Sequence, residues 1–223
     1  MPESLTNRVL VAGASRGVGR EIARLLVNQG YSVTGLTRSS AIAPELQALG
    51  LETTIADALD AEQVEAAIND FDTVISTIGG LPQDGKRADY DGNKNLIDAA
   101  VKANVKKFIL VSSIGAGESV VALPPQALEA LKSVLVEKEK AEQHLIKSGL
   151  TYVIVRPGGL KSEPPTGNGV LTEDPKIAGS IHRADVADLV CRCLTSDRAA
   201  QKVLSAVDRN MLYGAASFEE FIP

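Results

Sequence analysis

Arg8-Val9-Leu10-Val11-Ala12-Gly13-Ala14-Ser15-Arg16-Gly17-Val18-Gly19 decides the fold of this 223-residue chain. Residues 8–12 form a short apolar run, the pattern of a strand buried on both faces. From the end of this stretch, Val18, Ile22, Leu25 and Leu26 recur at helical spacing until Gly30, a C-terminal stop. The turn between strand and helix carries its glycines as G-x-x-x-G-x-G rather than G-x-G-x-x-G. The physical demands are the same. One glycine permits the sharp exit from the strand, and another lets the backbone approach a pyrophosphate. A third lets the helix pack on the sheet, while the helix N-terminus offers free N–H groups and a favourable dipole. The spacing alone is weakly specific, and a glycine turn without a ligand is the plainer reading. Its place between a first strand and an amphipathic helix makes Gly13, Ala14, Ser15, Arg16, Gly17, Val18 and Gly19 a predicted dinucleotide loop.

Outward from this stretch, strands and helices alternate. Strands are predicted over residues 31–37, 51–56, 72–77, 107–111, 151–155 and 203–207. Helices are predicted over 61–68, 92–103, 126–148 and 183–194. Leu96, Ile97 and Ala100 mark the inner face of the second of these, and Leu128, Leu131, Leu135 and Leu145 one side of the third. The pattern predicts an α/β fold: a doubly wound, mostly parallel, Rossmann-like sheet covered by helices on both faces. No repeat or linker divides the chain, so residues 1–223 read as one domain, with residues 157–223 as a small C-terminal segment on the substrate side. Residues 157–169, rich in proline and glycine, read as a loop beside the cleft, with Leu160, Pro164, Pro165 and Val170 as a mobile apolar wall.

Cofactor choice is read at the end of the second strand, where an acid would bind a ribose 2′-hydroxyl and repel a 2′-phosphate. Thr37-Arg38-Ser39-Ser40 offers no acid. Arg38 can pair with a 2′-phosphate, Ser39 and Ser40 can donate to it, and Arg16 can clamp it from the glycine loop. Either arginine alone would pass for a solvated surface charge; two flanking one pocket predict NADP(H).

Composition narrows the partners to a small-molecule substrate. A hydrophobic share of 44% and a charged share of 23% describe a globular chain, and a net charge of −5 argues against nucleic acid. No apolar run approaches the ~20 residues of a membrane span. Met1-Pro2-Glu3-Ser4 lacks the layout of a signal peptide, so a cytoplasmic location is expected, as monomer or homodimer. Cys191 and Cys193, two apart on a helix, suit neither a bridge nor a shared metal, and are read as reduced, buried small hydrophobes. No metal site is expected.

The chain resembles the short-chain dehydrogenase/reductase superfamily over almost its whole length. The opening glycine loop carries that resemblance, with Asp91-Gly92-Asn93-Lys94-Asn95-Leu96-Ile97-Asp98-Ala99-Ala100, Phe108-Ile109-Leu110-Val111-Ser112-Ser113, Lys140-Ala141-Glu142-Gln143, Val155-Arg156-Pro157-Gly158 and Arg183-Ala184-Asp185-Val186-Ala187. Together these look like its atypical NAD(P)H-binding group, which includes biliverdin reductase B-type flavin reductases and NmrA-like proteins. The resemblance implies Asp57 and Ala58 near the adenine, and Ser76, Thr77 and Ile78 along the ribose and pyrophosphate. It implies Ser112 and Ser113 at the catalytic serine position, and Pro157, Gly158 and Gly159 facing the nicotinamide. The superfamily's catalytic lysine would be Lys138, and its tyrosine, four residues earlier, is replaced by Val134. Valine transfers no proton. Lys138 then either binds ribose or is a surface charge among Glu137, Glu139 and Lys140. Tyr90 and His182, each read as lying in a loop, are the remaining acid candidates within reach of the cleft.

Three functions follow. The first is an NADP(H)-dependent reductase acting on a flat hydrophobic acceptor, whose second proton comes from solvent. The second is a non-catalytic NADP(H) sensor or assembly protein. The third, a sugar-nucleotide epimerase or dehydratase, is the one Val134 weakens most.

Overall fold

The computed structural model describes residues 8–80, 87–214 and 217–223, so the N-terminal residues read for a signal peptide lie outside the described part. Strands β1 (Arg8–Ala12), β2 (Ser32–Thr37), β3 (Glu52–Ile55), β4 (Thr73–Ser76), β5 (Lys107–Val111), β6 (Thr151–Pro157), β8 (Gly169–Thr172) and β10 (Lys202–Asp208) form one sheet. Its order is β3-β2-β1-β4-β5-β6-β10-β8, parallel throughout except for β8, which runs antiparallel to β10. A separate parallel pair joins β7 (Gly159–Lys161) to β9 (Ser180–His182). The order turns back between β1 and β4, and open α/β sheets place ligands in the crevice beyond such a reversal.

Period-two alternation divides the buried residues between two faces. Val9 and Val11 of β1, Ile109 and Val111 of β5, and Val153 and Val155 of β6 face one core with helices α1 (Gly17–Asn28) and α6 (Arg183–Thr195). Leu10, Ala12, Phe108, Leu110, Tyr152 and Ile154 face the other, with α3 (Ala61–Ala67), α4 (Asp91–Lys102) and α5 (Pro125–Lys147). This is the doubly wound fold the alternation predicted. Gly30 stops α1 as expected: at φ +87° it lets its own N–H and that of Tyr31 close back on Val27 and Leu26.

Four short elements were not predicted. Helix α2 (Ala43–Ala48), entered through a 3₁₀ turn at Ser40–Ile42, buries Leu46 alone, too little to make a period. Strands β7, β8 and β9 have three or four residues each and are fixed by partners far along the chain. Residues 157–169 are therefore not one loop. They begin with the end of β6, contain β7 and run into β8. His182 belongs to β9, where it is buried, and not to a loop. Val170 is core, packed with Ile114, Ile177, Ala178 and Val207, so it forms no wall over the cleft. On α5, Leu135 and Leu145 are buried as expected but Leu131 is exposed.

Candidate functional site

The site is built at the carboxyl ends of the central strands, starting from close contact between two loops. Gly13, at φ +89°, leaves β1 in a conformation that side chains disfavour. A Cβ at Gly13 would stand 2.5 Å from Thr77 Oγ1, and one at Gly19 would stand 2.3 Å from the Gly13 carbonyl oxygen. Thr77 fills the remaining space, with its hydroxyl donating to the Ala12 carbonyl at 3.1 Å. The loop is thus packed to a fixed shape by Thr77 at the end of β4. At α1 the cap residue is Arg16, with no side-chain cap and no acid in the first turn, so the helix N-terminus keeps its N–H groups and positive pole unmatched by protein. Gly17, at φ +59°, has among the described residues only the Arg183 side chain within 4 Å of the place a Cβ would take.

Around this cradle the cationic side chains are available. Arg16 and Arg38 are exposed and make no ion pair among the described residues, whereas the nearby Arg20 is paired with Glu45 at 3.0 Å. Ser39 is in part a cap: its hydroxyl oxygen accepts from the Ala41 N–H at 3.2 Å, leaving its own proton to donate. Asp57 is half-committed in the same sense, its carboxylate accepting from Leu59 N–H at 3.0 Å to start the turn into α3. Ala58 and Ile78 pack against Gly92, where a Cβ would lie 3.2 and 2.9 Å from their side chains. Ser76 is fully buried and donates to Asn93 at 2.6 Å, so its hydroxyl braces α4 and does not face the crevice.

The two serines after β5 differ. Ser113 donates to the Ile114 carbonyl at 2.9 Å. Ser112 is 7% exposed, and its hydroxyl has no hydrogen-bond partner among the described residues. A buried unsatisfied hydroxyl costs about 1–3 kcal/mol, which a ligand placed at this strand end would recover. Pro157 ends β6. Gly158 and Gly159 are shaped by their own neighbours: a Cβ on Gly158 would lie 2.1 Å from the Gly179 oxygen, and one on Gly159 2.7 Å from the Tyr213 hydroxyl.

Lys138 is no surface charge. Its side chain is 16% exposed and its ammonium lies 3.5 Å from Asp89, a carboxylate with no solvent exposure. Burial pulls the lysine below its ordinary value, and Asp89 works in the opposite direction. Asp89 also accepts from the Gly80 N–H at 3.1 Å and lies 3.2 Å from Arg87. Gly79 permits this approach, since a Cβ there would meet Asp89 at 2.5 Å and Lys138 at 3.3 Å. Asp89 and Arg87 were missed in the sequence; the only signal was their position just ahead of the recognised Asp91-Gly92-Asn93 stretch. A groove of about 1310 Å³ begins beside them, between α4 and α5, lined by Arg87, Lys94, Lys132 and Glu137 among others. None of its lining residues belongs to the glycine loop.

A second missed pair explains two recognised motifs at once. Arg156 grips Glu142 with both ends of its fork, at 3.1 and 2.6 Å, almost out of solvent. The pair pins α5 to β6 and so holds Lys138, one turn before Glu142, against the sheet. Val134 lies one turn earlier still on the same helix, so no phenol stands at the superfamily's tyrosine position. Neither other candidate acid replaces it. Tyr90 packs edge-on against His144 with Lys140 over its ring, on the outer side of α4 and α5. His182 lies 2.6 Å from the Pro164 carbonyl, an acceptor only, so Nδ1 carries a proton and holds residues 163–165 in place. That segment is tied down further along, where Thr166 and Gly167 donate to Asp185 at 2.9 Å each. The expected mobile wall is an anchored strap.

The crevice fits a nicotinamide dinucleotide: a glycine cradle that Cβ atoms would fill, an uncapped helix N-terminus, two free arginines and an orphan hydroxyl. Comparison with known proteins agrees. The pattern of the NAD(P)H-binding family matches residues 13–197. ChuY, described as an anaerobillin reductase from Escherichia coli O157:H7, superposes with a TM-score of 0.83 at 32% identity, over 93% of this chain and all of that one. The uncharacterised sugar epimerase YhfK of Bacillus subtilis is 34% identical over 193 residues, 84% of this chain and 87% of its own length. Sanguinarine reductase of Eschscholzia californica is 28% identical over 241 residues, 87% of this chain and 86% of its own.

Proposed function

Because the chain belongs to the NAD(P)H-binding family, within the atypical short-chain dehydrogenase/reductase group, we propose that it is an NADP(H)-dependent reductase of flat hydrophobic acceptors of the flavin, bilin or quinone kind. Ser112 carries this reading: a buried hydroxyl without a hydrogen-bond partner among the described residues, just past the end of β5, the strand next to β4. In this reading Gly13, Gly17, Gly19 and the N–H groups opening α1 hold the pyrophosphate, with Ala14, Ser15 and Val18 completing the loop. Arg16, Arg38 and Ser39 bind the 2′-phosphate. Asp57 and Ala58 bound the adenine, while Thr77 and Ile78 line the way to the nicotinamide. Pro157, Gly158 and Gly159 back the ring, and residues 157–223 supply the substrate side.

Bound there, the nicotinamide supplies the hydride. The protein's task is then to position and to exclude water. Ser112 donates its hydroxyl to the acceptor as negative charge grows on it, and Lys138, fixed by Asp89, holds the ribose. Val134 gives no proton, so the second proton comes from solvent, which suits an acceptor that stabilises its own charge across a conjugated system. The same valine argues against the epimerase reading, which needs a side-chain base. The description of ChuY as an anaerobillin reductase supports the proposal.

NADPH mixed with the protein and a panel of flavin, biliverdin and quinones should lose its nicotinamide absorbance with at least one of them. No oxidation above background across the panel would sink the reductase reading. Val134 also favours a second reading, a non-catalytic sensor of the NADP(H) redox state. That reading requires NADPH and NADP⁺ to bind with different affinities, and equal affinities would count against it.

A further inference from the structure

Arg183 is the first residue of α6, and α6 packs along α1. The glycine loop and the start of α6 therefore meet. The Arg183 Nε lies 3.7 Å from the point a Cβ on Gly17 would occupy, and its Cδ 3.9 Å from it. The other end of the guanidinium turns to the strap, where Nη1 donates to Ser162 Oγ at 2.7 Å and to the Leu160 carbonyl at 3.5 Å. Both partners are neutral, and no carboxylate reaches Arg183 among the described residues. A whole positive charge thus stands against Gly17, beside a helix N-terminus that carries no acid in its first turn.

Uncompensated charge of this kind calls for an anion. The ligand chemistry that puts anionic oxygens above the middle glycine of this loop is a diphosphate. We propose that Arg183 clasps the diphosphate of the bound dinucleotide and thereby ties the β7 strap, residues 159–162, to an occupied glycine loop. The proposal rests on the dinucleotide reading above and extends it, because it couples cofactor binding to the anchored strap on the substrate side. Five donors on a planar fork allow both jobs at once: Nε and the inner edge to phosphate oxygens, Nη1 to Ser162.

Titration of wild-type and Arg183→Gln protein with NADPH and with adenosine 2′-monophosphate tests the clasp, since the second ligand has the adenine and 2′-phosphate but no diphosphate. Arg183→Gln should weaken NADPH about tenfold or more and leave adenosine 2′-monophosphate binding unchanged, which also shows the variant to be folded. Wild-type protein that does not bind NADPH overturns the dinucleotide reading, and the clasp with it. Wild-type binding with an equally tight variant overturns the clasp alone, as does equal loss of both ligands. A second measurement needs no variant. Thermolysin cleavage beside Leu160 should slow when NADPH is bound and not when adenosine 2′-monophosphate is; equal protection by both overturns the coupling to the strap.

Discussion

Gly19 has no room for a methyl group, because backbone and Thr77 already occupy the place where it would go. Gly19→Ala should cost about 1–3 kcal/mol as an overpacked site does and abolish dinucleotide binding, read by chemical denaturation and by titration. The Glu142–Arg156 pair sets a different kind of prediction. Glu142→Leu leaves a buried guanidinium alone and should destabilise by about 3–5 kcal/mol, while the double variant Glu142→Leu/Arg156→Met should recover most of that loss. Recovery would show that the pair acts on stability as a unit; a double variant no more stable than Glu142→Leu would contradict that. Asp72 gives a pH dependence. Its carboxylate is held below the ordinary range by the Lys106 ammonium, which donates to it at 2.7 Å, and by the Arg8 N–H. A group lowered on folding adds stability that is complete above its unfolded pKa and is lost as pH falls through the folded one. Asp72→Asn should therefore melt lower than wild type near neutrality, and the gap should close as melting is followed into acid below about pH 4.

At the level of elements, α6 shows why its cysteines are inert. Burial pushes the thiols of Cys191 and Cys193 up to about 12 each, so little thiolate forms at ordinary pH. Native protein should give no reaction with a thiol reagent at pH 8, and two equivalents once denatured; fast native reaction would contradict the packing. That burial was legible from the sequence, as were the central strands and the four longer helices, because each strand carries its own apolar run and each helix its own apolar period. Strands β7, β8 and β9 were not, since three or four residues have no period and their register depends on residues tens of positions away. The same limit applied to the site. Gly13, Gly17 and Gly19 announce themselves by local spacing. Asp89 beside Lys138, Glu142 beside Arg156, and Arg183 beside Gly17 come together only through tertiary folding. Lys138, undecided between ribose and solvent by sequence, is decided against solvent by a carboxylate from another element.

Over the whole molecule, the two faces of the sheet divide the work. One core packs α1 and α6 under the glycine loop, while the other, with α3, α4 and α5, carries Lys138 and the valine that replaces the phenol. Arg16, Arg38 and Arg183 make no ion pair among the described residues, in a chain whose net charge is −5. Local positive charge on an acidic protein points to a specific anion more than to general attraction. The 2′-phosphate is the feature that separates NADP(H) from NAD(H), and the proposed function assigns it to Arg16 and Arg38. The direct test is calorimetric titration of the wild-type protein with NADPH and with NADH under identical salt. NADPH should bind more tightly by about tenfold or more; equal affinity for the two, or no binding of either, would contradict the account.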